Sequence, residues 1–377
     1  MAKRKKVILV CAGGTGGHVY PALAVAEELL SMSGGDANVR FIGPRTHLAD
    51  EFHYRGIRTY RIAGAKFRRY FSLYNFVDIP KLFFSFLQAL VKLFIIMPDI
   101  VFSKGGPGTL PVVLAARFYR IPVVIHETDS VPSLNTRLAA RFAARIGVSW
   151  KSTASYFPKQ KTFLSGNPVR KDLFQNVPPR AEARKHFGFE DPSAGETREP
   201  VILILGGSQG AAPINNFFAN HAKKILANCA LIHQAGEGNL EEVKKETRGV
   251  SEERYRLYGT LKTEELKNAY AAADIIVSRA GGALFEIAAF GKPAILIPLP
   301  NSANNHQYMN AYEYAGSERG DMRAIVIEEP NLTLGIFLAQ VQNILDPARY
   351  RAMEDAARAF AKPNAARLVA EEVLKLA

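Results

Sequence analysis

Short apolar runs alternate with segments of helical spacing along almost the whole chain. The apolar runs are rich in β-branched residues, which favours strands, and they have strand-like lengths. They occupy residues 7–11, 39–42, 57–62, 99–103, 123–126 and 146–149, and then 201–205, 230–234, 256–258, 274–278, 294–298 and 324–327. Continuous apolar strands separated by helices predict an α/β protein whose parallel sheets are covered by helices on both faces.

The first predicted strand runs into a glycine-rich turn. The turn reads Gly13-Gly-Thr-Gly-Gly-His18, and Pro21 stands at an early position of the helix that follows. Glycines let backbone N–H groups approach a ligand closely, and the N-terminus of a helix adds partial positive charge. We therefore predict a seat for a phosphate or diphosphate, with His18 as a titratable group at its edge.

This turn does not fit two common nucleotide-binding motifs. A G-x-G-x-x-G reading that starts at Gly14 continues to Gly16 and then meets Val19, and the second strand contains Arg40 but no acidic residue to hold a ribose. The sequence G-x-x-x-x-G-K-[ST] does not occur in the chain. Both an NAD-type dinucleotide site and a P-loop ATPase are therefore disfavoured.

The opening pattern recurs in the second half of the chain. After a turn-rich boundary at residues 166–172, the strand at 201–205 runs into Gly206-Gly-Ser-Gln-Gly-Ala211. We predict two doubly wound domains, residues 1–166 and 167–349, that face each other across a cleft. Ligands of such sheets bind beyond the carboxyl ends of the strands, where both glycine turns fall. One such turn could serve packing alone, whereas two argue for two phosphate-bearing ligands.

Composition narrows the class of protein and its partners. The 377 residues are 48% hydrophobic, and the formal charge of +13 suits nucleic acid, an anionic membrane surface or a polyanionic small molecule. Cys11 and Cys229 lie beside apolar runs, as expected for core thiols of a reduced protein. The apolar run at 7–12 is too short for the core of a signal peptide.

Residues 55–97 form a basic, aromatic segment with eight Lys or Arg side chains and one acid, Asp78. Cations interleaved with aromatic rings suit the headgroup zone of an anionic bilayer. Lys81, Gln88, Lys92 and Pro98 interrupt or end its apolar part, so we expect a surface helix and not a membrane span. One face of this helix should also pack on the sheet, and no motif supports nucleic-acid binding. The predicted membrane residues are Phe67, Arg68, Arg69, Tyr70, Phe71, Phe83 and Phe84.

Seven motifs follow one another over nearly the whole chain. They are Gly13-Gly-Thr-Gly-Gly-His18, His126-Glu127, Gly166-Asn-Pro-Val-Arg170, Gly206-Gly-Ser-Gln-Gly-Ala211, Ser278-Arg-Ala-Gly281, Glu286-Ile-Ala-Ala-Phe-Gly-Lys-Pro293 and His306-Gln-Tyr-Met-Asn-Ala311. In content and order they resemble the MurG family of peptidoglycan transferases, which add N-acetylglucosamine to lipid I and so make lipid II. The resemblance implies the GT-B fold, with two Rossmann-like domains, an inverting reaction and no required metal or cofactor. It also implies that residues 350–377 pack back on the N-terminal domain.

The resemblance assigns the donor side of the site mainly to the C-terminal half. Glu286 would accept hydrogen bonds from the ribose of UDP, Gln307 would bind the donor sugar and the backbone at Thr263 would read uracil, with His306 and Asn310 as neighbours. Helix-dipole stabilisation by Glu286, a helix cap at Ser208 and a surface ion pair at Arg170 are the structural alternatives. The full predicted donor set is Thr15, Arg170, Ser208, Gln209, Gly210, Thr263, Gly281, Gly282, Glu286 and Gln307.

The acceptor side falls on the first glycine turn. A neutral imidazole suits removal of a proton from an attacking hydroxyl, so His18 is the first candidate for general base, with acceptor binding as its other possible role and Glu127 as the second candidate base. His126 could orient its neighbours or contact the acceptor. The predicted acceptor-binding residues are Gly13, Gly14, Gly16, Gly17, Gly105, Gly106, His126 and Asp129.

Three positions depart from the family pattern. His126-Glu-Thr-Asp129 replaces His-Glu-Gln-Asn, and an ionised Asp129 cannot donate the hydrogen bond of an amide. Gly105-Gly-Pro-Gly-Thr109 replaces a Gly-Gly-Tyr-type loop, and Ala283 stands where a small hydroxyl residue is frequent. Asp-x-Asp, which holds a divalent cation in many sugar transferases, is absent from the sequence.

Together these observations predict a peripheral enzyme on the cytoplasmic face of the cell membrane. Its expected partners are UDP-N-acetylglucosamine, an acceptor linked to undecaprenyl diphosphate and an anionic membrane surface, without nucleic acid. A relative with a diacylglycerol acceptor, a UDP-sugar epimerase and a silent nucleotide-sugar scaffold are the alternatives. The diphosphate seat at His18 argues against the diacylglycerol acceptor.

Overall fold

The computed structural model of this protein describes residues 4–64, 74–189, 199–207, 210–317 and 320–377. The chain divides into two compact units. The first comprises Met1–Arg170 with Lys362–Ala377, and the second comprises Lys171–Ala361. Of the predicted membrane residues, those at 67–71 lie outside the described part of the chain.

The first unit contains a sheet of seven parallel strands. They are β1 (Lys6–Cys11), β2 (Ala37–Gly43), β3 (Arg58–Arg61), β4 (Ile100–Ser103), β5 (Val123–Glu127), β6 (Arg145–Val148) and β7 (Thr162–Leu164). Their order in the sheet is β3-β2-β1-β4-β5-β6-β7. The strand order reverses between β1 and β4, and the crevice at the carboxyl ends of these two strands is where doubly wound sheets bind ligands.

Five helices of the first unit connect these strands, and they are α1 (Gly16–Met32), α2 (Asp50–Tyr54), α3 (Tyr74–Ile96), α4 (Thr109–Phe118) and α5 (Leu134–Ala140). The helix after the glycine turn begins earlier than the sequence indicated, because Gly16 is already helical and Pro21 lies inside α1. Proline inside a helix crowds the carbonyl four residues earlier. That carbonyl belongs to Gly17, which has no side chain to add to the crowding.

The second unit contains six parallel strands. They are β8 (Val201–Leu205), β9 (Ala230–Gln234), β10 (Tyr255–Tyr258), β11 (Ile275–Ser278), β12 (Ala294–Leu296) and β13 (Ala324–Val326), in the order β10-β9-β8-β11-β12-β13. Its helices are α6 (Arg180–His186), α7 (Ala212–Ile225), α8 (Leu240–Glu246), α9 (Thr263–Ala272), α10 (Ala283–Ala289), α11 (His306–Ala315), α12 (Leu334–Leu345) and α13 (Pro347–Phe360). The prediction of two parallel-sheet, Rossmann-like domains is confirmed.

The last helices divide between the two units. The sequence led us to expect residues 350–377 on the first domain, but α13 packs on α10 and α12 and belongs to the second unit. Only α14 (Ala365–Leu376) belongs to the first unit, where its apolar face packs on α1 through Val369 and Val373. The boundaries therefore fall after Arg170 and Ala361. Gly166 permits this arrangement, because a Cβ atom there would lie 2.5 Å from Cβ of Lys362.

Helix α3 has one buried and one exposed face. Ala89, Leu93 and Ile96 are buried in the core of the first unit, as expected for a helix that covers a sheet. The opposite face is exposed and apolar, with Phe83 at 65%, Phe84 at 57% and Phe94 at 69% exposure. Within the described residues, no helix is long and apolar enough to cross a membrane.

Candidate active site

Two glycine turns meet at the carboxyl ends of β1 and β4. The N–H of Gly13 donates to the carbonyl of Gly105 over 2.8 Å. A Cβ atom on Gly13 would lie 2.8 Å from Cα of Gly106, so neither residue tolerates a side chain. Gly106 also has a φ of +94°, which glycine adopts without strain. The turns predicted to bind the acceptor therefore form one close-packed surface.

His18 lies in the first turn of α1, beside these glycines. Its Nδ1 is 2.8 Å from Oγ1 of Thr15, and its ring faces Gly106. Burial and the positive charge of Lys104 lower the pKa of His18 to about 4, and Asp129 opposes the shift. The imidazole is consequently neutral at physiological pH and can accept a proton.

Glu127, at the end of β5, shapes the loop that follows. One carboxylate oxygen accepts hydrogen bonds from the N–H groups of Thr128 at 2.8 Å and Asp129 at 3.1 Å, and the other accepts from that of Ser133 at 3.1 Å. Burial and the neighbouring Asp129 raise the pKa of Glu127 despite these bonds. Both oxygens of the carboxylate therefore already accept hydrogen bonds from the backbone of the loop after β5.

Lys104, the residue before Gly105, is buried between this loop and the glycine turns. Its side chain is 1% exposed, and Nζ donates to Oγ1 of Thr128. Burial lowers the pKa of Lys104 to about 8, while the charges of Glu127 and Asp129 raise it. Sequence reasoning gave this residue no role, although a lysine between an apolar strand and a glycine turn is a recognisable signal.

His126 is enclosed in the wall of the site. Its Nε2 lies 2.9 Å from Oγ of Ser165 and 3.0 Å from the carbonyl oxygen of Gly166. Because a carbonyl only accepts, Nε2 carries the proton. Burial, together with the charge of Lys104, holds the pKa of His126 well below its usual range. These contacts connect the end of β5 to Ser165 and Gly166.

The motif at 166–170 supplies two more buried polar side chains to the first unit. Asn167 Oδ1 lies 3.4 Å from Oγ1 of Thr128, which links it to the loop after β5. The guanidinium of Arg170 stacks over the ring of Tyr20 with its Cζ 4.2 Å from the ring centre. A cation–π contact of this kind fixes the plane of the guanidinium.

The second unit has its own glycine turn, at residues 206–210, directly after β8. Gly207 and Gly210 have φ values of +74° and +75°, and a Cβ atom on Gly210 would lie 1.8 Å from Nδ2 of Asn239. The predicted donor residues Ser208 and Gln209 lie outside the described part of the chain. The positive φ values of Gly207 and Gly210 and the close approach at Gly210 favour glycine at both positions.

A buried hydrogen-bond chain joins α7 to β9 and β10 near this turn. Nδ2 of Asn215 donates to the carbonyl of Ala235 at 2.9 Å, so its Oδ1 accepts from Nε2 of His233 at 3.0 Å. Nδ1 of His233 then accepts from the hydroxyl of Tyr255 at 2.7 Å. Burial lowers the pKa of His233 to about 3, so this ring remains neutral in the folded state.

Glu286 is held by an aromatic neighbour that sequence reasoning did not identify. The hydroxyl of Tyr270 donates to Oε2 of Glu286 at 3.0 Å. The Tyr270 ring stacks on Phe290 with centroids 4.5 Å apart and an angle of 11° between the planes. Glu286 is part-buried in α10, behind Gly281 and Gly282, and a Cβ atom on Gly281 would contact nothing within 4 Å. The space beside Gly281, in front of the helix that holds Glu286, is therefore unoccupied by other atoms of the described residues.

The other predicted donor residues also follow carboxyl ends of strands. Thr263 begins α9 after β10, and Gln307 lies in the first turn of α11 after β12. Oε1 of Gln307 accepts from the N–H of Leu299 at 3.0 Å, and Nδ2 of Asn310 donates to the carbonyl of Ala280 at 3.0 Å. In a parallel sheet these ends share one edge, so the second unit brings Gly210, Glu286 and Gln307 to the same side.

The described residues contain no group of three or more His, Cys, Asp or Glu side chains that could hold a metal ion. The first turn of α1 begins at Gly16, and the N-terminus of a helix is a favourable position for an anion.

Comparison with known proteins agrees with this arrangement of two units. The glycosyltransferase family 28 N-terminal domain matches residues 8–148, and the family 28 C-terminal domain matches residues 201–371. A protein of Clostridium tetani is 32% identical over 91% of this chain and 90% of its own length. It is named UDP-N-acetylglucosamine--N-acetylmuramyl-(pentapeptide) pyrophosphoryl-undecaprenol N-acetylglucosamine transferase.

Solved structures show the same architecture. The crystal structure of MurG from Acinetobacter baumannii superimposes with a TM-score of 0.72 at 26% identity and covers 98% of this chain and 99% of its own. A UDP-GlcNAc 2-epimerase from Neisseria meningitidis reaches 0.66 at 17% identity, covering 98% of this chain and 100% of its own, which shows a shared fold alone. Both domains of one family therefore match in order over most of the chain, and the protein belongs to glycosyltransferase family 28.

Proposed function

We propose that this protein transfers N-acetylglucosamine from UDP-N-acetylglucosamine to lipid I and thereby forms lipid II. One observation carries the proposal: each unit presents a glycine turn at the carboxyl end of its first strand, one beside His18 and the other in the unit that holds Glu286. Two such turns suit two diphosphate-bearing substrates. The name of the Clostridium tetani relative and the likeness to MurG support the choice of these substrates.

The first unit takes the acceptor in this proposal. The backbone N–H groups of the two glycine turns and the N-terminus of α1 hold its diphosphate, near Gly13 and Gly106. His18 removes the proton from the attacking sugar hydroxyl. His18 is favoured over Glu127 as the base, because Glu127 already accepts three backbone hydrogen bonds.

The second unit takes the donor. Glu286 accepts hydrogen bonds from the ribose hydroxyls, Gln307 binds the sugar and the backbone at Thr263 reads the uracil. The glycine turn at 206–210, with Ser208 and Gln209, holds the diphosphate. Backbone N–H groups and cationic side chains stabilise the leaving UDP without a metal ion. The hydroxyl attacks the anomeric carbon opposite the leaving group, so the linkage inverts to β.

In this proposal the enzyme binds the cytoplasmic face of the membrane, and the exposed face of α3 supports membrane binding. Phe83, Phe84 and Phe94 are more than half exposed, and Lys81 lies beside them. Apolar rings buried in the headgroup zone and cations near anionic lipids favour such binding. A lipid-linked acceptor would then be reached without leaving the bilayer.

The decisive experiment supplies purified protein with UDP-N-acetylglucosamine and a lipid I analogue, with a metal chelator present. We expect lipid II and UDP in equal amounts. His18→Ala should abolish turnover while UDP binding persists, and His221→Ala, on α7 of the other unit, is the matched control. Turnover of diacylglycerol but not lipid I would overturn the acceptor, and conversion of the donor without any acceptor would indicate an epimerase.

A further inference from the structure

We propose that Lys104 is a positioning residue whose positive charge offsets the carboxylates of Glu127 and Asp129. The glycine turns after β1 and β4 can then accept an anionic diphosphate. The inference rests on the proposed function, because it concerns the acceptor side of that site. It adds a residue with no direct substrate contact, which acts through the charge and position of its neighbours.

The first support is the placement of the ammonium. Lys104 lies between the end of β4 and Gly105, and its backbone N–H donates to the carbonyl of Cys11 at 2.8 Å. Its Nζ donates to Thr128, the residue between Glu127 and Asp129. The side chain thus joins the glycine turns to the acidic loop, and burial prevents water from substituting for it.

The second support is the local balance of charge. Glu127 and Asp129 both interact electrostatically with Lys104, and His18 and His126 are neutral at physiological pH. Among these five titratable groups, Lys104 is the one cation at physiological pH. Without it, a bound diphosphate would meet two carboxylates, and charges act strongly where water is excluded.

Lys104 also connects acceptor binding to pH. Its pKa of about 8 means that the ammonium loses its proton as pH rises through 8. The positive charge that offsets the neighbouring carboxylates is then lost. Acceptor affinity should therefore fall above pH 8, whereas donor affinity in the second unit should not change.

The test uses farnesyl diphosphate, a short prenyl diphosphate, as the acceptor-side probe. The only tryptophan, Trp150, donates its indole N–H to the carbonyl of Thr128 at 2.7 Å, so its fluorescence reports on this loop. The full-length variants are Lys104→Met, Asp129→Asn and the double variant, with Lys151→Met on an exposed lysine of the same unit as the control. UDP binding and the circular dichroism spectrum are measured in parallel.

We expect Lys104→Met to weaken probe binding about 30-fold, the size expected when one partner of a buried charge set is removed. Adding Asp129→Asn should restore most of the loss, and Lys104→Arg should abolish the decline above pH 8. A double variant as weak as Lys104→Met would overturn the inference. So would unaltered binding by Lys104→Met with a native spectrum.

This experiment tests the role of Lys104 independently of the proposed transferase activity. Binding of the probe does not require turnover, so an enzyme that proves inactive on lipid I still gives this result. If Lys104→Met does not fold, then Lys104→Arg and the pH profile of the wild-type protein decide the matter. A wild-type affinity that is flat from pH 7 to 9 contradicts the role of Lys104.

Discussion

Oγ1 of Thr15 lies 2.8 Å from Nδ1 of His18, and this short contact governs which nitrogen of His18 can take a proton. If the hydroxyl accepts from Nδ1–H, the lone pair of Nε2 is left for the attacking hydroxyl of the acceptor. A base that acts through Nε2 therefore needs Thr15 as an acceptor. The contact joins the N-cap residue of α1 to a residue in its first turn.

Replacing Thr15 should reduce the rate of transfer. Thr15→Val keeps the shape of the side chain but removes the oxygen, and we expect kcat to fall about a hundredfold, the lower end of the range for general-base catalysis. Thr15→Ser retains the oxygen and should stay within about threefold of wild type, a change of less than 1 kcal/mol. Steady-state assays at saturating donor check this. Equal losses for Val and Ser would mean that the oxygen does not orient His18.

The pH profile of transfer should place the protonation of His18 well below neutrality. Burial and Lys104 lower the pKa of His18 to about 4, so the neutral, base-competent form dominates above that value. We expect kcat to rise as pH increases through about 4 to 5 and to be flat near pH 7. A limb with an apparent pKa near 6.5 would instead indicate an imidazole exposed to water.

Donor affinity should depend on the pair formed by Glu286 and Tyr270. We expect Glu286→Gln to weaken UDP binding about tenfold or more, because hydrogen bonds to a charged group are worth about 1.5–3 kcal/mol. Tyr270→Phe removes one hydrogen bond to that carboxylate and should cost a few-fold. Calorimetry measures both, with Glu241→Gln on an exposed carboxylate of α8 as the control. A control as weak as Glu286→Gln would rule out a specific ribose contact.

Membrane binding should depend on the exposed face of α3. A Phe83→Ser, Phe84→Ser double variant should sediment several-fold less with vesicles that contain phosphatidylglycerol, because it removes two apolar rings from the headgroup zone. Tyr54→Ser alters a side chain that is 79% exposed in α2 and should bind as wild type does. Equal sedimentation of all three proteins would place the membrane contact elsewhere.

Acid should destabilise the first unit through His18. The pKa of His18 falls from 6.5 to about 4 on folding, so the unfolded chain binds more protons below pH 6.5 and stability is lost as pH falls. By pH 4 the loss attributable to His18 should reach about 2–3 kcal/mol. Trp150 fluorescence in urea follows this unit, and the stability difference between wild type and His18→Asn should shrink by that amount between pH 7 and 4. A constant difference would contradict the shifted pKa.

Sequence reasoning located the features of the fold that depend on residues close together in the chain. The apolar runs located most strands of both sheets, and the glycine turns at Gly13 and Gly206 follow the first strand of each unit. It failed at local details as well: Pro21 suggested too late a start for α1, and the three-residue strand β7 was missed, because short strands carry little periodicity.

Residues close together in the chain specify the alternation of strands and helices, the two glycine turns and the family motifs. Three relationships arise only on folding: Lys104 meets Thr128 beside Glu127, Tyr270 donates to Glu286, and α14 joins the first unit while α13 stays in the second. They could not be read from the chain because sheet order and burial bring residues together that are distant in sequence. Lys104 has its shifted pKa because β4 and β5 are neighbours and because the loop after β5 closes over it.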